Sequence, residues 1–134
     1  MRYLTLLFSL FLFCGLSFAE ESDEESSEET KPSVEYIALK PDITVNLLGK
    51  RHYLRTSVQL FAEGDNSDIV KANLPALRHT LIMELSNLEH EKLLNIKKRE
   101  KIRKAAVKAL QKTLQKVAGD GELKDLYFTS FMVQ

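Results

Sequence analysis

Apolar and polar positions alternate most cleanly across residues 52–62. Leu54, Thr56, Val58, Leu60 and Ala62 fall on one side, and Tyr53, Arg55, Ser57, Gln59 and Phe61 on the other. A period of two over this length predicts a half-buried strand. Upstream, residues 34–39 and 43–48 are two shorter strand-like runs separated by Lys40-Pro41-Asp42. Proline has no N–H to give to a ladder, so these runs predict an edge strand, or one that bends at Pro41. With a turn at Gly49-Lys50, they form a β-hairpin with the strand that follows.

The period then changes to 3.6. Gly64-Asp-Asn-Ser67 supplies turn chemistry and N-cap candidates, and Asp68 suits a first helical turn. Val70, Leu74, Leu77, Leu81, Leu85 and Leu88 lie within an arc of about 80° at 100° per residue. Pro75 falls one to two turns in, so the helix either kinks there or has its regular part begin near Asn73. Ile69, Ala72, Ala76 and Met83 form a second, smaller apolar patch, covered by a neighbouring element or serving as a subunit contact. Residues 89–95 make a short linker with room for one helical turn. A second long helix is predicted over 97–117, stopped by Gly119-Asp-Gly121. Its expected buried face is Ile102, Ala105, Ala106, Ala109, Leu110, Thr113 and Val117. Lys97, Lys101, Lys104, Lys108 and Lys112 occupy the opposite face within about 80° of one another. Arg103, near Leu110 and Leu114, interrupts that pattern at the helix edge.

The last run alternates again, with Leu126, Phe128, Ser130 and Met132 on one side and Tyr127, Thr129, Phe131 and Val133 on the other. Bulky apolar groups on both sides suit a strand covered on part of each face. The domain is expected to pack onto it, and loss of the chain from Ser130 onward is expected to unfold it. The fold class is α+β, a β-β-α-α-β layer of two long helices on a small mixed or antiparallel sheet.

Composition changes the picture mainly at the N-terminus. The 19 basic and 19 acidic residues cancel, but residues 20–29 hold seven acids and no base. Setting these and Arg2 aside leaves 18 bases against 12 acids in the body. Residues 1–19 read as an export signal or a short membrane anchor: Arg2 precedes about sixteen nearly all-apolar residues, where a bilayer span takes roughly 20, and Ser17 and Ala19 suit cleavage. Residues 20–33 form an acidic, disordered tether, and residues 34–134 the exported domain. The sole cysteine, Cys14, lies in the apolar run after Phe13. That neighbour argues against lipid attachment, and the body can form no disulfide.

Little in the sequence points to reaction chemistry. There is no G-x-S-x-G and no cysteine nucleophile in the body. His79 has Met83 at the next turn, His52 sits on a strand, and His90 lies between Glu89 and Glu91, which do not share its face of a helix. No metal, cofactor or catalytic residue is assigned. The lysine stripe is the one chemical patch. Without interleaved aromatics or arginine forks it does not fit nucleic acid. It is a solvated face, or a contact for an acidic protein surface or lipid head groups.

Three stretches together resemble the FliL family of flagellar basal-body-associated proteins. They are Thr44-Val-Asn-Leu through Arg51-His-Tyr-Leu-Arg-Thr-Ser-Val-Gln-Leu60; Leu74-Pro-Ala-Leu-Arg-His-Thr-Leu-Ile through Leu85-Ser86 and on to Leu94; and Leu123-Lys-Asp-Leu-Tyr-Phe-Thr-Ser-Phe-Met-Val-Gln134. The resemblance implies a stomatin-like periplasmic domain at the inner-membrane surface. It also implies a homo-oligomer around the stator proteins MotA and MotB that supports rotation, with no enzymatic activity. The leader departs from the family, which carries a full-length anchor. The alternative is a soluble periplasmic binding or scaffolding module that uses the lysine face.

Overall fold

The computed structural model describes residues 33–49 and 51–134. The apolar leader and the acidic segment, up to Pro32, lie outside the described residues. The alternation over residues 52–62 becomes the longest strand, β3 (Tyr53–Glu63), whose buried side is Leu54, Thr56, Val58, Leu60 and Ala62, as the period predicts. The upstream runs form β1 (Val34–Ala38) and β2 (Ile43–Asn46). Both pair antiparallel with β3, β1 along residues 59–63 and β2 along 53–56. They are two halves of one edge, broken around the cis Lys40-Pro41 peptide. Lys50, in the turn between β2 and β3, is not described; Gly49 and Arg51 on either side take positive φ, 99° and 70°.

The opposite edge is β4 (Asp125–Val133), antiparallel to β3. Here the sequence expectation fails in one respect. The register runs from Leu54↔Val133 to Ser57↔Ser130, then resumes at Val58↔Phe128, so Thr129 is an extra residue. This β-bulge reverses the alternation halfway along the strand. Leu126, Phe128, Phe131 and Val133 therefore all pack toward the core, and Tyr127 and Met132 turn outward, 39% and 49% exposed. Two hydroxyls hold the bulge: Thr129 Oγ1 donates to the Ser57 carbonyl at 3.3 Å, and fully buried Thr56 donates through Oγ1 to the Ser130 carbonyl at 2.6 Å.

The first predicted helix is two, α1 (Asn66–Ala72) and α2 (Leu74–Ser86). Asn73, at φ −112° and ψ 12°, breaks the spiral between them. Pro75 then sits in the first turn of α2, where its missing N–H costs nothing. A one-turn helix, α3 (His90–Leu94), precedes α4 (Ile96–Ala118). The Asn95 side chain caps α4 by accepting from the Lys98 N–H at 3.1 Å, and Gly119 ends it in the left-handed conformation, φ 79°. All helices but the solvent sides of α2 and α4 pack toward one face of the antiparallel sheet, so the α+β layer stands, with more pieces than β-β-α-α-β. The core combines Val70, Leu77, Leu81 and Leu85 with the inner sheet side chains and with Leu93, Ala106, Leu110 and Leu114.

α4 is rotated from its expected setting. Its buried seam is Ala106, Leu110 and Leu114, while Ala105 and Val117 are exposed and Ile102, Ala109 and Thr113 half-buried. Apolar spacing alone centred the seam on the alanines. The seam follows the larger side chains, with Leu110 and Leu114 fully buried, and brings Arg103 on the same side against β4.

Candidate functional site

Arg103 is only 19% exposed in its side chain, and its guanidinium joins three groups. Two nitrogens donate to Glu100 at 2.8 and 2.6 Å, one turn back on α4, and Nη1 donates to the Asp125 carboxylate and to the Leu126 carbonyl at 3.2 Å. The cation also lies 5.9 Å from the Tyr127 ring centre. The Glu100 hydrogen bonds first, and the charge of Asp125 after them, raise the Arg103 pKa further above its already high value. Arg103 thus clamps α4 to the first residues of β4. The sequence contained its signal, an arginine inside an apolar arc, but not its partner 22 residues away.

With that side of α4 fixed, the other side is set too. Lys97, Lys101, Lys104, Lys108 and Lys112 are all exposed. Among the described residues Lys104 alone of the five has a carboxylate within 4 Å, Glu100 at 3.8 Å. The structure thus brings the five together as one cationic stripe. An open groove runs beside its second half, between Lys108 and Lys112 and the loop at Gly121–Leu123. The Gln111 amide fixes that loop, donating to the Gly121 carbonyl at 2.9 Å and accepting from the Leu123 N–H at 2.7 Å.

The second predicted patch is not one surface. Ile69 is half-buried against the core, and a Cβ on Gly121 would come within 2.8 Å of its Cγ2, so the 119–123 loop covers it. Ala76 is half-buried, while Ala72 and Met83 stay exposed, Met83 at 52%. The break at Asn73 separates Ile69 and Ala72 from the α2 residues.

Two groupings arise only in three dimensions. His52 and His90 stack at 3.9 Å between ring centres beside Leu48 and Glu89. On the outer face of the sheet, Tyr36, Phe61 and Tyr127 form an aromatic cluster, with Tyr36 and Phe61 stacked at 5.1 Å. Among the described residues, no three or more His, Cys, Asp or Glu side chains converge on a metal position. No helix among them is long and apolar enough to cross a membrane. What the site offers is a fixed, exposed cationic helix face.

Comparison with curated proteins yields no match. A family model described as flagellar basal body-associated protein FliL matches residues 36–134, from β1 through the end of β4. That span takes in the broken edge, the Arg103 clamp and the lysine stripe, and is well over half of the 134 residues. The chain belongs to the FliL family of flagellar basal body-associated proteins.

Proposed function

We propose that this protein is a non-enzymatic accessory subunit of the flagellar basal body. In this reading the domain of residues 34–134 is exported to the periplasm and lies at the inner membrane. It assembles with further copies of itself around the stator proteins MotA and MotB and supports motor rotation. The observation that carries the reading is the family match over residues 36–134. The cationic stripe of α4 supports a binding role, since five lysines on one rigid face attract an acidic surface over about a Debye length. Ala72 and Met83, exposed on α1 and α2, remain candidates for the contact between copies, with Ile69 and Ala76 at its margin.

Deleting the gene is expected to reduce swimming and swarming, most of all in viscous medium, and a tagged protein is expected at basal bodies. The tag belongs away from the C-terminus, where Gln134 exchanges two backbone hydrogen bonds with Tyr53. Wild-type motility of the deletion strain in every medium would overturn the proposal. Reversing Lys104, Lys108 and Lys112 to Glu is expected to weaken association while leaving the thermal melt nearly unchanged. Undiminished motility in that variant would return the stripe to a solvated face.

The exposed stripe also accommodates a second reading, a periplasmic scaffold with no tie to motility. Normal motility together with loss of another periplasmic complex would favour it.

A further inference from the structure

The corner between α3 and α4 exposes two large aliphatic side chains, Leu94 at 57% and Ile96 at 78%, the latter the most exposed of the large hydrophobic residues described. This exposure is built in. Leu93, one residue earlier, is fully buried in the core. Arg99 donates from Nε to the Leu93 carbonyl and from its backbone N–H to the Asn95 carbonyl, and its guanidinium lies 5.0 Å from the Phe131 ring centre. With Asn95 capping α4, the corner has no freedom to fold Leu94 or Ile96 inward. Burying these groups would need something outside this domain.

Around the pair stand Lys92, Lys97, Lys98 and Lys101, all exposed, and Lys92, Lys98 and Lys101 frame an apolar cleft with Ile102. Lys97 and Lys98 occupy the first turn of α4, which has no acid, although a helix N-terminus favours acids there. Helix stability gains nothing from that arrangement. Glu89, Glu91 and Glu100 are the nearby exposed acids. Glu89 pairs with Lys92 at 3.3 Å and Glu100 is engaged by Arg103, which leaves Lys97, Lys98 and Lys101 without a carboxylate within 4 Å among the described residues.

We propose that this corner docks on an anionic lipid bilayer, with Leu94 and Ile96 entering the interface and Lys97, Lys98 and Lys101 contacting head groups. Two observations select a bilayer over a protein partner. The corner exposes only two large aliphatic side chains, at the joint of α3 and α4, whereas stable protein contacts bury roughly 800 Å² on each partner. Aliphatic groups ringed by lysine are also the composition that settles at a negatively charged membrane surface. Such docking would fix how the domain sits on the membrane, with the remainder of the α4 stripe, Lys104 to Lys112, leading away from the contact. The proposal rests on the corner alone and stands or falls separately from the stator reading.

The chain contains no tryptophan, so single substitutions make clean reporters in the full-length protein. Ile96→Trp is compared with Val117→Trp, a 48% exposed site about 30 Å further along α4 at 1.5 Å per residue. Each variant is mixed with phosphatidylglycerol-containing vesicles and with purely zwitterionic ones, with and without brominated lipids. On anionic vesicles the emission of I96W is expected to shift to the blue and be quenched by bromine, while that of V117W stays unshifted. Adding Lys97→Glu, Lys98→Glu and Lys101→Glu to I96W is expected to abolish both effects. Because the readout is local, attachment of the chain through residues 1–19 does not produce it. An unquenched I96W, equal quenching at both positions, or quenching that survives lysine reversal would each overturn the proposal.

Discussion

Removing residues 130–134 tests how far the fold depends on β4. The sheet is built on β3, which pairs with every other strand, and β4 is an edge strand rather than the one the domain packs onto. The deletion takes away every β3–β4 pairing from Leu54↔Val133 to Ser57↔Ser130, together with the reciprocal Tyr53–Gln134 backbone bonds at 2.7 and 3.0 Å. At two bonds per hydrogen-bonded pair and the lower end of net values, the lost ladder is about 3 kcal/mol. Phe131 and Val133, both half-buried against the core, add about 2–3 kcal/mol. The Thr56 hydroxyl, at 0% exposure, loses the Ser130 carbonyl and keeps only the longer contact to the Ser57 carbonyl at 3.4 Å, a further loss of about 1 kcal/mol. The total, about 6–7 kcal/mol, lies within the roughly 5–15 kcal/mol that hold a domain together. The truncated chain is therefore expected to show no cooperative transition by circular dichroism in thermal or urea melts. Thr56→Val, which removes only the hydroxyl, is expected to keep a two-state transition lowered by about 1 kcal/mol, or several degrees. A truncated chain that melts cooperatively within a few degrees of wild type would refute this reasoning, and the outer half of β4 would be dispensable.

The remaining predictions concern single sites. Gly121→Ala is expected to destabilise by about 2–3 kcal/mol in urea melts, because φ is 97° and the new methyl would meet Ile69 at 2.8 Å, whereas Gly49→Ala, at φ 99° with open space around it, should lose only about 1 kcal/mol. Ser67→Ala is expected to leave stability unchanged or raise it by up to about 1 kcal/mol, since the buried Ser67 hydroxyl has no hydrogen-bond partner among the described residues; a fall of that size would show that it is paired. Folding lowers the pKa of Asp42, chiefly through the Ser57 hydrogen bond, and of Glu100, chiefly through that of Arg103. A lowered carboxyl gives stability that is full above its unfolded value near about pH 4 and lost as pH falls through the folded one. Acid titration should thus show its unfolding midpoint moving to higher pH in Arg103→Met. The same variant, which leaves the 28% exposed Asp125 carboxylate without its cation, should lower stability at neutral pH by about 1–3 kcal/mol in urea melts.

Local periodicity was enough to find the elements, because burial on one face imposes period two on a strand and 3.6 on a helix. The inner residues of β3, the stripe from Val70 to Leu85 and the stop at Gly119 were all legible in this way. So was the break near Pro41, since a missing N–H acts through the chain's own chemistry. The lysine stripe was legible as a face, although its use was not.

Family membership was also legible, in three motifs that lie within residues 36–134, and the family match over that span bears the membership out. What sequence could not supply were features set by a distant partner. The bulge at Thr129 is an offset between two strands, held by Ser57 and Thr56, and neither strand records it alone. The rotation of α4 buries Leu110 and Leu114 and sets Arg103 against Asp125 on β4, and the separation of Ile69 from Met83 follows from the break at Asn73 and the loop packed over Ile69. Residues 93–96 show the same division most plainly. In the sequence Leu93, Leu94 and Ile96 are equivalent aliphatics; only the turn between α3 and α4 sends the first into the core and the other two into solvent. Side-chain chemistry and spacing determine which residues can be buried together, and contacts between elements far apart in the chain decide which of them are.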